Sequence, residues 1–589
     1  MPISAGRGFV VAALVLGGLV ACTELGAPRP DWRPPASRPG RAELVDRGEV
    51  DRAVEVERRA LVRALIEDGE HDADFAVLTA AERAELQALY QPNGCAPLWL
   101  ESAGHLTSDA REGVELLRHA ADEGLDPTDY FEGLIGRLAP LTESASLAPR
   151  DVARFDLSVS AGLLRYLRHL HMGRVDPRAI GFRLDAPSDR HDFPALLCSA
   201  IADDRLTELV VELQPPIGQY HELRTALRRY RLLANASTPL APPPIVIPIH
   251  PGESSRVLPE LQRALVAMGD LQAGDPLTVG RYEGALADAV QRFQTRHGLD
   301  PDGVIGKETV AALGVPLSWR VRQIELALER LRWLPHVGPE RLIVLNIPMF
   351  RLWAWDSLSP SEAPRFSMDA IVGRALHTQT PVFVAHMREV IVRPYWNVPR
   401  SILRNEVLPR LERDPDYLGR ENMEIVRGQG DLVPRVALTA ESLVQLRQGA
   451  LRVRQRPGPK NALGLVKFVF PNKEDVYMHG TPAQALFAKR RRDFSHGCVR
   501  VADPVALTEW VLQDQPQWTR ARILRSMSGT QTIHVPLLEP IQVILFYTTA
   551  AVMPEGGEVR FAEDIYGHDA RLDRALQVRR AHTITTRHF

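Results

Sequence analysis

Through the first 235 residues apolar side chains recur at three- and four-residue intervals, the spacing of helices that each turn one face inward. Residues 41–70 are densely charged, with Leu44, Val54, Leu61 and Leu65 spaced along one stripe. The stretch TAAERAELQALYQ starts an amphipathic helix behind Thr79. LTSDAREGVELLRHAADEGLDPTDY repeats the scheme, with Thr107 or Ser108 as cap, Val114, Leu116 and Leu117 as the apolar stripe, and Gly124 as the stop. No catalytic cluster stands out in this half; His169, His171 and His191 are expected to be surface or satisfied core histidines.

The proline-rich STPLAPPPIVIPIHPGES ends the helical region as a linker. Beyond it, LPELQRALVAMGDL predicts a short helix. In LADAVQRFQTRHGLDPDGVIGKETVAALGV, Val290 and Phe293 share a helical face that Gly298 closes. Asp302-Gly303 predicts a tight turn, and Gly306 opens a last helix carrying Val310 and Leu313. Phe293-Gln294, Gly298-Leu299, Asp302-Gly303, Ile305-Gly306 and Thr309 to Leu313 resemble the small helical peptidoglycan-binding module, with a three-helix spacer as the alternative.

From Arg341 the period shortens. RLIVLNIPMFRLWAW, DAIVG, PVFVAHMREVIVRPYWNVP and GLVKFVFP are rich in β-branched and aromatic residues between turn formers, and predict a mainly β domain. RSILRNEVLPRLERDPDYLGRENMEIV is polar and helical in pattern and interrupts the strands. An insertion next to Tyr395-Trp396-Asn397 is placed to cap a cleft.

The chain has 589 residues, a formal charge of −2 and four cysteines. Near-neutral charge argues against a nucleic-acid partner, and the length predicts three or four domains. At the N-terminus Arg7 precedes an apolar run, Phe9 to Ala21, that is too short to span a bilayer and matches an export signal. Leu19-Val20-Ala21-Cys22 resembles a bacterial lipobox, which implies cleavage before Cys22 and lipid attachment to its thiol. Thr23 follows, with no aspartate to favour inner-membrane retention, so an outer-membrane anchor is expected. The five prolines of APRPDWRPPASRPG predict a stiff tether. Export leaves Cys95, Cys198 and Cys498; the first two could pair, and an odd number leaves one thiol free.

Candidate chemistry converges on DVYMHGTPAQALFAKRRRDFSHGCVRVADPVALTEWV. His479 falls at a strand end, Thr481-Pro482 predicts the start of a helix running to about Lys489, and Lys489 to Arg492 read as its solvated end, with a binding patch as the alternative. Cys498 follows His496-Gly497 in a turn. A thiol is mostly protonated at neutral pH, and an imidazole within reach converts it to thiolate. Gly497 lets the backbone come close so that amides can face an oxyanion, and Arg500 can offer a donor fork to a carboxylate. Zinc held by His479, His496 and Cys498 lacks a fourth ligand or a C-x-x-C spacing, and a buried inert thiol is the other alternative.

The pattern H-G-(14 residues)-S-H-G-C-V-R resembles the signature of L,D-transpeptidase (YkuD-type) catalytic domains. PYWNVP, PGPKNALGLVKFVFPN, DIYGHD, LYQPNGCAPLWL and EGLDPTDY extend the likeness to the large multidomain (YcbB-type) members. The resemblance implies a multidomain α+β chain. Its expected parts are a lipoprotein signal at 1–22, a tether and charged helix at 23–74, a helical scaffold domain at 75–240, and a three-helix peptidoglycan-binding module at 252–316. A mainly β catalytic domain at 340–535 with a helical capping insertion at about 401–460 follows, then a C-terminal segment at 536–589. It further implies Cys498 as nucleophile, His479 as base oriented by the Gly480 carbonyl, and an oxyanion hole from the amides of Gly497 and Cys498. Ser495, His496 and Arg500 would shape the donor site, and Tyr395, Trp396 and Asn397 would line the cleft. The implied substrates are a tetrapeptide stem as donor and the side-chain amine of a neighbouring stem as acceptor, giving a 3→3 cross-link. Carbapenems are implied covalent inhibitors, and no metal or cofactor is implied. An L,D-carboxypeptidase, or a non-catalytic lipoprotein tying membrane to wall, are the alternatives. VGRALHTQTP is a residue longer than the family pattern before Thr380-Pro381, which leaves the cleft rim open.

Overall fold

The computed structural model describes residues 47–585 except 70–71, 73–74, 77, 102–104, 131–147, 185–190, 236–246, 273, 275–279, 335–339, 358–362, 377 and 555. The export signal, Cys22 and the proline-rich tether lie outside the described residues. Among the described residues, those from Ala53 onward form one compact unit. No helix among the described residues is long and apolar enough to cross a membrane.

The helical region forms as its periodicity predicts. Thr79 caps the helix Ala80–Tyr90 in a reciprocal box with Glu82, and Thr107 caps Ser108–Arg118. Both pack around the helix Pro149–Met172, whose fourteen buried residues place it at the centre. The motif LYQPNGCAPLWL meets this helix through a buried carboxylate: Asp156 accepts from the amides of Leu98 and Trp99 and from the Tyr90 hydroxyl. Burial raises the Asp156 carboxyl to about 6 against these donors. His169 is buried and bonded to the Tyr130 hydroxyl, a satisfied core histidine. Cys95 is buried, Cys198 is exposed and both are free thiols, so the pairing left open by the sequence is not made.

Residues 258–313 form a three-helix module with its own apolar core: Leu258–Met268, Ala285–Arg296 and Lys307–Leu313. Gln294 explains its motif, because its side chain bonds Asp302, the Gly303 amide, the Val304 carbonyl and Thr309 at once. The helix Leu317–Leu331, outside every expected domain, is buried between the scaffold helix Gly218–Ala234 and the β domain. Its buried charges include Arg330 on Asp569 at 2.5 Å and Glu329 with Arg174 and Arg332, while Arg320 bonds Gln323 and lies over the Phe561 ring.

The β domain contains β1 (Leu342–Asn346), β2 (Arg351–Trp355), β3 (Phe366–Gly373), β4 (Phe383–Val392), β5 (Trp396–Asn397), β6 (Met423–Val426), β7 (Arg435–Val436), β8 (Arg452–Gln455), β9 (Val466–Val469), β10 (Met478–His479), β11 (Asp493–Ser495), β12 (Val499–Val501), β13 (Ile533–Phe546), β14 (Ala550–Val552) and β15 (Val559–Phe561). The order β3-β12-β10-β9-β4-β13-β1-β2 closes on itself through the β2–β3 pairing, and β11 continues β3 beyond β2. Closure leaves few free edges. The expected boundary at 535 falls inside β13, which pairs with β4 and β1, so the C-terminal segment is integral to the barrel.

Two local expectations need correction. Residues 481–489 form only a 3-10 turn, Gln484–Ala488, because no residue of that turn is buried to hold a longer helix. Arg490 to Arg492 are therefore not a helix end; each is ion-paired, to Glu308, Asp493 and Asp369 respectively. The insertion begins at Trp396 and ends at Gln455. Its polar helices are joined by a four-stranded sheet, β5-β8-β6-β7, over a separate apolar core that includes Ile402, Val407, Leu446 and Val453.

Candidate active site

Strand periodicity builds the first wall. On β10 and the residue before it, Met478 points into the core while Tyr477 and His479 share the other face, with ring centroids 5.8 Å apart. The register sets Lys467 of β9 and Arg500 of β12 opposite His479. Burial, then Arg500 and Lys467, outweigh the carbonyls of Gly480 and Leu463 and hold the imidazole down to about 3. It is neutral at physiological pH. Nδ1 lies 2.5 Å from the Gly480 carbonyl, which can only accept, so the proton sits on Nδ1 and the Nε2 lone pair is available as base.

The second wall is the turn between β11 and β12. Gly497 has φ +114°, a conformation a side chain resists, and Cys498 follows it half-buried. Ser495 ties the turn: its hydroxyl donates to the Cys498 carbonyl at 2.6 Å and accepts from the Gly497 amide at 3.2 Å. A loop after β3 clamps the same turn. Thr380 Oγ1 donates to the Gly497 carbonyl at 2.8 Å, and Thr378 Oγ1 to the Ser495 carbonyl at 3.1 Å. That loop is braced in turn, since the Tyr566 hydroxyl donates to the Gly373 carbonyl at 2.5 Å and accepts from the Thr380 amide at 3.2 Å. A Cβ on Gly373 would lie 1.9 Å from the Thr378 carbonyl.

Around the sulfur, the thiol donates toward the Asp475 carbonyl at 3.8 Å, and Tyr477 is a close neighbour. Burial pushes the thiol up, opposed by Tyr477, Lys467 and Arg500. Lys467 Nζ sits 3.8 Å from the Tyr477 ring centroid, and burial lowers its own affinity for a proton. The resting site therefore holds a neutral thiol and a neutral imidazole. No direct hydrogen bond joins them; such contacts commonly tighten only with substrate bound.

The predicted residues divide by role. His479 and Arg500 are register partners on β10 and β12, Gly480 follows β10, and Gly497 and Cys498 form the turn that enters β12. Ser495 is a buried brace rather than a cleft wall. The Gly497 amide is held by Ser495, and the Cys498 amide has no hydrogen bond among the described residues. His496 pairs through Nε2 with Glu406 of the cap at 2.8 Å. Trp396 neighbours Tyr477 and opposes the rise that burial imposes on its hydroxyl. Tyr395 is covered by Arg454 at 4.0 Å, and Asn397 accepts from Arg452 at 2.9 Å, so both stabilise the cap. Sequence reasoning missed Lys467, Tyr477, Thr378, Thr380 and Tyr566. Tyr477 was legible from strand alternation with His479, and Tyr566 lies in the DIYGHD stretch, whose role the spacing did not disclose.

Known families match this arrangement domain by domain. Residues 340–532 match the L,D-transpeptidase catalytic domain, 84–227 the scaffold domain, and 257–313 the "Putative peptidoglycan binding domain". The β domain belongs to the L,D-transpeptidase catalytic family. A Haemophilus influenzae protein named "Putative L,D-transpeptidase" is 30% identical over 256 residues, 43% of this chain and 49% of that relative, so the chain spans about half the length of the curated relative it matches. The crystal structure of the L,D-transpeptidase from Xylanimonas cellulosilytica is 16% identical and covers 52% of this chain and 100% of that one, at a TM-score of 0.16. Within the transpeptidase domain, the family match spans Cys498, His479 and the entire cap.

Proposed function

We propose that the chain is an exported peptidoglycan L,D-transpeptidase working through a thioester on Cys498. The observation that carries this reading is the clamped Gly497-Cys498 turn beside a neutral His479 whose proton is fixed on Nδ1. As the sulfur attacks the carbonyl of the third stem residue, its proton passes to His479, and the Cys498 amide receives the oxyanion. Collapse expels D-alanine, which takes the proton from the imidazolium. The side-chain amine of a second stem then attacks the thioester, loses its proton to His479, and frees the thiol with a 3→3 cross-link formed.

Export rests on Arg7 and the Phe9 to Ala21 run, and outer-membrane anchoring on Leu19 to Cys22. The binding module brings the catalytic domain to the wall. Intact-mass measurement of the purified protein with disaccharide tetrapeptide tests the chemistry. The reading requires a tripeptidyl adduct on Cys498 and cross-linked dimer among the products. Tripeptide alone would make the enzyme an L,D-carboxypeptidase, and no adduct would leave the non-catalytic tether.

A further inference from the structure

A groove of about 260 Å³ runs along the seam between the binding module and the barrel. Thr295 to Asp300 of the module form one side, and the β1–β2 turn, Arg490 to Arg492 and β15 form the other. The seam is built: Arg490 reaches across to Glu308 at 3.0 Å and to the Gly298 carbonyl at 3.2 Å, and the rings of His297 and Phe561 stack at 5.7 Å.

Most of its charge is paired within the protein, Arg490 with Glu308 and Arg491 with Asp493 and Glu563. Arg351, Arg490, Arg491, Arg492 and Arg560 line the groove, against Asp300, Asp369 and Glu563. Arg351 and Arg492 share the single carboxylate of Asp369, at 3.2 and 3.0 Å. Arg560 has no hydrogen bond or ion pair among the described residues, and its Nε is buried without a partner. A second orphan donor belongs to a residue of the same lining: Trp353 is 6% exposed and its Nε1 is unpartnered. An unpaired buried donor is costly, and two of them, one on an arginine that lacks a counter-charge, make a site for an anionic ligand that also carries carbonyl acceptors.

We propose that this groove binds a carboxylate-bearing peptide of the cell wall, with a free carboxylate on Arg560 and a peptide carbonyl on the Trp353 indole. The proposal rests on the peptidoglycan reading above, since stem peptides offer carboxylates and peptide carbonyls together. Its place relative to the chemistry follows from chain length. Six residues separate Arg492 from Cys498, at most about 20 Å of extended backbone. A strand held in the groove thus presents a stem near the nucleophile turn, and the module and barrel grip one polymer together.

The test uses the full chain with Cys498→Ala, so that nothing turns over, and disaccharide tetrapeptide as probe in calorimetry. Arg560→Gln should weaken binding about tenfold, and Arg560→Lys should recover part of the loss. The same muropeptide with its free stem carboxylates amidated should bind both wild-type-groove and Arg560→Gln proteins equally. Hydrogen exchange on adding the native probe should slow at 490–493 and 559–563. Equal affinity of Arg560→Gln and its parent, or an amidated probe as sensitive to Arg560 as the native one, overturns the proposal. Carbapenem acylation of the Cys498-containing Arg560→Gln chain should stay unchanged. Failure of acylation in the unmutated chain would strike the thioester reading and leave the groove result standing.

Discussion

Replacing Tyr566 with phenylalanine removes one oxygen far in sequence from the nucleophile and should still slow its chemistry. The hydroxyl is buried, and burial pushes it up to about 12, so it remains protonated and able to donate at every working pH. It bridges the Gly373 carbonyl and the Thr380 amide, and no other partner in the structure serves either group in its place. Orphaning a buried polar group costs about 1–3 kcal/mol, so two such groups cost about 3 kcal/mol together once local relaxation is allowed. Thr380 also holds the Gly497 carbonyl, so much of that cost is expressed as loosening of the turn that aims Cys498 and its amide. At about 1.4 kcal/mol per factor of ten, acylation by a carbapenem should fall 10- to 100-fold. The assay is the time course of the covalent adduct by intact mass, run beside iodoacetamide alkylation, which reads the thiol without needing the turn's geometry. Alkylation should stay within a few-fold of wild type. Carbapenem acylation within twofold of wild type, with circular dichroism unchanged, would refute the claim that this brace sets the nucleophile's aim.

Four further outcomes follow from the same contacts. Lys467→Met removes a positive charge that favours the Cys498 thiolate, so the acylation rate at pH 7 should drop about tenfold and its pH profile move upward; an unmoved profile would exclude Lys467 from the electrostatics. Glu406→Gln uncouples the cap from His496, and the ratio of tripeptide to cross-linked dimer, counted by chromatography, should rise at least twofold as water gains access. His479 and His568 are both held neutral, down to about 3, by burial and neighbouring arginines, so the stability they carry is present above pH 6.5 and lost as pH falls toward 3. The linkage is about 1.36 kcal/mol per unit, or about 3 kcal/mol per histidine by pH 4, and thermal melts of His568→Gln should show a shallower acid decline than wild type. Cys22→Ser should abolish incorporation of a fatty-acid probe in cells; retained labelling would place any lipid elsewhere.

Strand alternation and helix periodicity made the three folded regions legible, because each buries one face of regular structure. The His479 and Cys498 pair was legible because a rare residue type sat in a distinctive turn. The braces were not. Ser495 looked like part of the substrate wall, yet its hydroxyl is consumed by the Gly497 amide and the Cys498 carbonyl. Thr380 and Tyr566 lie 118 and 68 residues from Cys498, and no local pattern records that a barrel closing through β13 brings them together. The cap sheet was hidden for a similar reason: β5 and β7 are two residues long, too short to show a period, and are held by their neighbours.

The resting charge state bears on where such an enzyme can live. Thiolates, not thiols, are the species that oxidise readily, and an exported cysteine without a disulfide partner stands exposed to oxidants. Here burial of Cys498 disfavours the thiolate, while burial of His479 between Arg500 and Lys467 disfavours the imidazolium that would have to accompany it. An ion pair preformed as in a low-pKa cysteine site is therefore penalised on both sides. In the mechanism proposed above, substrate lowers the penalty: the oxyanion would develop at the Cys498 amide as negative charge leaves the sulfur, giving the imidazolium a counter-charge. Lys467 and Arg500 favour the anionic side of that process and oppose the cationic one, so the two cations set how far the site leans toward attack before a donor arrives. In that mechanism the same balance would favour carbonyls that dock against the amide over small oxidants that do not, which would suit a free thiol to an exported enzyme.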